Sequence, residues 1–305
     1  MTAPDTSPSA LVRPERRDFA LMAVAVLAVS TSGPLIAATA APALAIAFWR
    51  NAFGTMAIGP YALLRHRREL FGLSRRELRL ALVSGVLLSL HFATWVPSLT
   101  LTSVASSTAL VATQPVWAAL IARASGHPVP RQAWVGMAIA FAGVLVITGV
   151  VVSLSGRAVA GDLLALVGGI FAAAYVTVGA QVRRTVSTTT YTLLCYGLCA
   201  LLLLAACLVG GRPVVGFSVD TWTKLVLLTL GAQLLGHSLF NVVLKRVSPM
   251  LLSLLILFEM PGAAVIAALW LGQVPPWGVI PAAALVLIGV AVVIRAEPGT
   301  PVDQP

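Results

Sequence analysis

The sequence predicts an all-α integral membrane protein with ten transmembrane helices arranged as two inverted five-helix repeats. Three observations carry this. First, 59% of the 305 residues are hydrophobic and only 10% are charged, with a mean hydropathy of +0.96, which lies well outside the range of soluble domains. Second, the chain repeats itself without a gap at a shift of 146 residues: Gly85 pairs with Gly231, His91 with His237, Pro115 with Pro261, Gly126 with Gly272, Pro130 with Pro276 and Gly143 with Gly289. Third, the basic residues cluster in alternate connections between apolar runs.

A helix needs about 20 mostly apolar residues to span a bilayer. The first half offers Phe19 to Ala37, Ala43 to Leu64, Leu78 to Leu99, Ser103 to Ala124 and Ala133 to Val151. The second half offers Asp162 to Val182, Thr190 to Val209, Trp222 to Leu244, Pro249 to Leu271 and Trp277 to Ile294. Backbone polar groups cannot stay unpaired in lipid, so runs of this length are expected to be helices. The divisions are a tail over 1–17, a first repeat over 18–151, a second over 162–294 and a tail over 295–305. Because each repeat holds five spans, an odd number, the second enters the membrane from the opposite face. Such inverted repeats are the architecture of carriers that open a midplane site to either side in turn.

Arg13, Arg16, Arg17, Arg65, Arg67, Arg68, Arg75, Arg76, Arg79, Arg123, Arg131, Arg183, Arg184, Lys245, Arg246 and Arg295 fall on one face. Arg157, Arg212 and Lys224 fall on the other, and Arg50 lies inside a span. The positive-inside rule then places both termini in the cytoplasm. The same distribution accounts for the net charge of +10 as a topology signal rather than a nucleic-acid surface. The N-terminal apolar run lacks the short core and cleavage site of a secretory signal and is read as retained. Cys195, Cys199 and Cys207 share one span, which suits small packing residues and neither a disulfide framework nor a metal cluster. No metal and no cofactor are expected.

Glu259 is the one acidic residue near the middle of a span. Insertion scales charge about 2.5–3.5 kcal/mol for such a group, so it should face the bundle interior. It reads as a proton or substrate-cation site, or alternatively as a hydrogen-bonded acid tying helices together. Pro261, two residues on, should kink the helix and leave the Leu257 carbonyl without its usual partner. The repeat mates are Thr113, Gln114 and Pro115, so the proline is kept and the charge is not. On the eighth span Gln233, His237, Asn241 and Lys245 recur every four residues and form a polar stripe, either one wall of a wet cavity or a set of helix-to-helix hydrogen bonds. His91, with Ser84, Ser98 and Trp95, is the matching wall on the third span. Ser103, Ser107 and Gln114 share a face of the fourth span. Ser30, Thr31, Ser32, Gly33 and Pro34 interrupt the first span, and Tyr175 occupies a comparable place in the sixth.

Arg50 starts about seven residues from the outer edge, roughly 10 Å at helical rise. Its side chain is expected to snorkel outward; turned inward, it could hold a carboxylate or pair with Glu259. Trp49, Trp222, Trp270 and Trp277 read as interfacial anchors.

The stretches LHFATWVPSLTLTSVASSTALVATQPVWAAL and LLGHSLFNVVLKRVSPMLLSLLILFEMPGAAVIAALWLGQ resemble the EamA-type branch of the drug/metabolite transporter superfamily, a likeness that runs from Asp18 to Ile294. The resemblance implies a ten-helix inner-membrane carrier that exports small metabolites such as amino acids, not an enzyme. Its cavity would be lined by the first, third, fourth, sixth, eighth and ninth helices, with the fifth and tenth as scaffold. Where many members carry an acid after the glycine ending each repeat's fourth helix, this chain has His127 and Gln273. The expected partners are therefore a small-molecule substrate and membrane lipid, with a homodimer left open, and not nucleic acid.

A lipid-linked-substrate enzyme is a rival disfavoured by the lack of a DxxxD or HExxH pattern. A channel or structural subunit is the other rival. Phosphorylated or nucleotide-sugar substrates would call for clustered Lys or Arg in the cavity, and only Arg50 is available.

Overall fold

The computed structural model describes residues 16–101, 107, 110–148, 156–244, 246–247, 249–271 and 279–296. Helices lie over all ten predicted spans, and no strand occurs among the described residues. The first span is Arg16–Ser30 continued by Ser32–Ala37. Then come Ala43–Arg65, Arg75–Leu101, Gln114–Ala124 and Arg131–Thr148. The second half holds Gly156–Val182, Thr188–Val209, an eighth span running from Val219 to Val243, a ninth in two pieces, Pro249–Ile256 and Glu259–Leu271, and Val279–Ala296. Among the described residues, five stretches are by themselves long and apolar enough to cross a membrane: Arg16–Ile36, Arg75–Ser98, Gly156–Val182, Thr188–Val209 and Val219–Val243. Ser103, Lys245, Gln273 and Trp277 lie outside the described residues.

The lipid-facing surface is apolar, and the strongly polar side chains of the spans are buried within a largely apolar interior. Leu27, Leu64, Leu201, Leu208, Leu269 and Ile280 are exposed, whereas Arg50, Asn51, Gln114, Gln233 and Asn241 are buried. The connections alternate between faces. On the basic face the second–third connection reaches the sixth–seventh one through Glu69, and the start of the first helix reaches the eighth–ninth connection through the 3.7 Å Asp18–Arg246 pair. On the opposite face the Lys224 ammonium donates to the Ala38 carbonyl at 2.9 Å.

Packing between the halves follows the repeat. The third span packs on the sixth as the eighth packs on the first; the fourth meets the sixth as the ninth meets the first; and the second–seventh, fourth–ninth and fifth–tenth contacts map onto themselves. Such an exchange of partners is the signature of a pseudo-twofold relation between inverted repeats. Gly136 and Gly289 let the fifth and tenth helices cross closely, since a Cβ at Gly289 would lie 2.5 Å from the Gly136 carbonyl oxygen, in keeping with small residues at helix crossings in membranes.

Local chemistry sets the helix ends. Ser74 and Glu77 form a capping box before Arg75–Leu101, each side chain satisfying the other's backbone N–H at 3.2 and 2.9 Å. Ser187 and Ser218 cap their helices by accepting from the Thr190 and Thr221 amides. Gly126, at φ 83°, closes the fourth span, and the His127 amide then returns to the Ala122 carbonyl at 3.0 Å.

Candidate functional site

Two helix breaks frame the centre of the bundle. In the fourth span, Ala112 and Thr113 form a turn before Gln114–Ala124; in the ninth, Leu257 and Phe258 form one before Glu259–Leu271. Pro115 and Pro261 cause both, because each ring excludes the carbonyl four residues earlier and its fixed φ suits the first turn of a new helix. The Leu257 carbonyl does not go unpaired as its sequence context suggests. The Met260 amide donates to it at 3.3 Å, a tighter turn that restores the bond the proline removes. The first span also breaks, at Thr31, so Pro34 sits inside the short helix Ser32–Ala37. Its Ser30 meets the ninth span where Gly262 leaves room, since a Cβ there would lie 2.2 Å from the Ser30 hydroxyl.

Arg50 does not snorkel. It is 2% exposed, its Nε donates to Gln233 Oε1 at 2.8 Å, and its guanidinium carbon lies 5.1 Å from the centre of the Phe92 ring. Gln233 Nε2 in turn donates to Asn51 Oδ1 at 3.1 Å, and Asn51 Nδ2 to the Ala47 carbonyl at 2.8 Å. A neutral amide partner deep in the bundle outcompetes the outward reach that length alone would allow. Arg50 Nη2 is buried and unpartnered among the described residues. Glu259 is half-buried within electrostatic reach of Arg50, and its carboxylate makes no hydrogen bond among the described residues. His91 and His237 are also within electrostatic reach of Arg50 and of one another.

His91 is held on the third span, its Nδ1 3.0 Å from the Gly168 carbonyl and its ring stacked on Trp95 at 5.5 Å between centroids. Trp95 Nε1 is buried without a partner among the described residues. The eighth span is not a regular α-helix: Thr229–His237 winds as a π-helix. The wider turn splits the predicted stripe. Gln233 faces the second span, whereas Asn241 faces the sixth, where its Oδ1 accepts from the Tyr175 hydroxyl at 3.2 Å. His237 lies between them, half-buried and edge-on to Phe240.

Gln114 turns to the other repeat and donates from Nε2 to the Ser253 hydroxyl at 2.8 Å. Ser107, the repeat mate of Ser253, shares a 2.6 Å hydrogen bond with Ser98. The structure thus brings Arg50, Gln233, Glu259, His91 and His237 together, and places the Tyr175–Asn241 and Gln114–Ser253 pairs in contacts of their own.

Sequence reasoning missed Asn51, Ser253 and Arg183. Arg183 is 1% exposed and donates to the Asn241, Val186 and Thr188 oxygens, joining the sixth, seventh and eighth spans at the basic face. It reads in sequence as one more topology arginine, and nothing local distinguishes it. Trp49 is no simple anchor either: its indole donates to the Val214 carbonyl at 2.6 Å, and its ring meets Trp222 edge-on at 4.8 Å.

Outside the spans, Glu69 accepts from the Ser187 amide, from the Thr190 hydroxyl at 2.9 Å and, 3.1 Å away, faces His66 Nδ1. Partial burial works against its charge, but the bonds from Ser187, Thr190 and His66 prevail and hold the carboxyl at about 2. No group of three metal-ligating side chains occurs among the described residues. The central set is one guanidinium, one carboxylate, two imidazoles and an amide pair, which suits binding a polar solute and exchanging a proton.

The description "EamA-like transporter family" attaches to a family model that matches residues 19–149 and again 159–295. No curated protein matches the chain. Among 29 matching solved chains is one described only as "Crystal structure of protein", 19% identical, which superimposes with a TM-score of 0.78 over 93% of this chain and 98% of that one. At that identity the likeness speaks for the fold.

Proposed function

The chain belongs to the EamA-like transporter family, a membrane family of the drug/metabolite transporter superfamily, and from that premise we propose a secondary transporter of the cytoplasmic membrane that exports a small organic metabolite, an amino acid or related compound, by alternating access. Both termini lie in the cytoplasm, where the arginine-rich connections meet anionic lipid. The observation that carries the proposal is the polar centre formed by buried Arg50 and Gln233 with half-buried Glu259 nearby, set beside helix breaks that recur in both repeats. Broken helices at the repeat interface put loose backbone where a solute can be bound and where half-helices can move.

Glu259 exchanges the coupling proton, His91 and His237 relay it, and Gln233, Asn241, Trp95 and Tyr175 contact or enclose the substrate. Gln114 and Ser107 hold the fourth span in place. Pro34, Pro115 and Pro261 fix the points about which the first, fourth and ninth spans bend.

The test is counterflow in proteoliposomes, using a compound first selected by thermal shift from amino acids, amines and organic acids. A carrier gives saturable counterflow. Continuous ionic current across a planar bilayer would contradict the proposal in favour of a channel.

A further inference from the structure

Arg50 is a buried cation whose bonded partners among the described residues are all neutral. Its Nε is taken by Gln233, its flat face rests on Phe92, and Gln233 is itself oriented by Asn51. These contacts hold the guanidinium still without cancelling its charge. The fork is left incomplete, with Nη2 buried and without an acceptor among the described residues. Glu259 does not come within ion-pair distance and acts on Arg50 through its field, without a bond. A charge without a bonded counter-charge is costly to bury inside a protein, and a fork of donors fixed in one plane is the shape that matches a carboxylate.

We infer that the transported substrate carries a carboxylate and that Arg50 binds it, completing the fork that Gln233 and Phe92 hold open. This rests on the transporter reading and narrows it. Phe92 touches the His91 ring at 5.0 Å between centroids, and His91 stacks on Trp95, so the third span offers a continuous ring wall beside the bound head group. Glu259 is the resident negative charge that the incoming carboxylate meets. Moving the half-helix that begins at Glu259 away from Arg50 relieves that repulsion.

The experiment uses the purified full chain in nanodiscs and thermal shift with matched sets: butyrate, butyramide and butylamine; phenylacetate, phenylacetamide and phenethylamine; and leucine and phenylalanine with their amides. Stabilisation is expected only from compounds with a free carboxylate, whether or not they carry an amine. It should weaken roughly tenfold or more in Arg50→Gln and partly survive in Arg50→Lys, which keeps the charge without the fork. In Glu259→Gln the same carboxylates should bind several-fold more tightly, because a negative charge has been lifted from the site.

The inference falls if no carboxylate stabilises the protein, if amides or amines do so as well as acids, if Arg50→Gln binds acids unchanged, or if Glu259→Gln loses acid binding instead of gaining it. Should Arg50→Gln fail to fold, the Arg50→Lys and Glu259→Gln arms decide. Saturable counterflow of a solute without a carboxylate removes this inference and keeps the transporter. Carboxylate binding that depends on Arg50 but comes without counterflow keeps the Arg50 carboxylate site and removes the transporter, and with it the claim that the bound acid is transported.

Discussion

The fourth and ninth spans occupy equivalent places in the two repeats and break within one residue of the same register, at 112–113 and at 257–258. The side chains beside the two breaks differ in what they do. In the fourth span Thr113 bonds to the Leu110 carbonyl and Trp117, and Gln114 is tied to Ser253. In the ninth, Glu259 has no hydrogen bond among the described residues and feels the charge of Arg50. Prolines at matched positions preserve the backbone device, while the side chains beside them have divided into a fastener and a titratable group. The two breaks therefore share a backbone device and differ in the side chain that stands beside it.

The largest expected effect on stability comes from the point where the ninth span touches the first. Gly262→Val pushes a side chain into Ser30, whereas the equivalent position in the fourth span is already Val116. A loss of about 1–3 kcal/mol is expected, as for overpacking elsewhere, and is read as a lowered Tm in detergent; an unchanged Tm would mean that the two spans do not pack as described.

Gln114→Leu comes next. It leaves the buried Ser253 hydroxyl without its donor, at a cost of about 1–2 kcal/mol, and should lower Tm while leaving the pH profile of transport as it was. A changed profile would mean that the fourth-span break carries coupling chemistry as well.

Glu69→Gln should be smaller, about 1 kcal/mol, since the site is partly open to solvent. The folded carboxyl titrates at about 2, below its ordinary 4.5. Its stabilisation is therefore complete above pH 4.5 and is withdrawn as pH falls toward 2. Melting curves of the variant should lack that acid-dependent portion and match the wild type more closely at the acid end than near neutrality.

The spans, their alternation and the two proline breaks were legible because hydropathy, arginine placement and proline stereochemistry are local properties. Arg50's direction was not. A start about seven residues from an edge permits either orientation, and the choice was made by Gln233, 183 residues away in the chain. The eighth span shows the same limit. A four-residue polar period fits an α-helix, and only the close approach of Gly236 to Val29 and Ala25 goes with the π turn that sends Gln233 and Asn241 to different neighbours. Asn51 and Ser253 were overlooked because each is an ordinary polar residue until its partner is known.

Coupling through the unsymmetrical carboxylate is the central claim, and the pH dependence of counterflow tests it most directly. Proteoliposomes holding wild type or Glu259→Gln are assayed across about pH 5–9, the range about neutrality, with one stabilising substrate. The wild-type rate should vary with pH, by roughly tenfold if the coupling is of ordinary size, and the variant's should be flat. Superimposable profiles would contradict the account and leave Glu259 a passive part of the bundle.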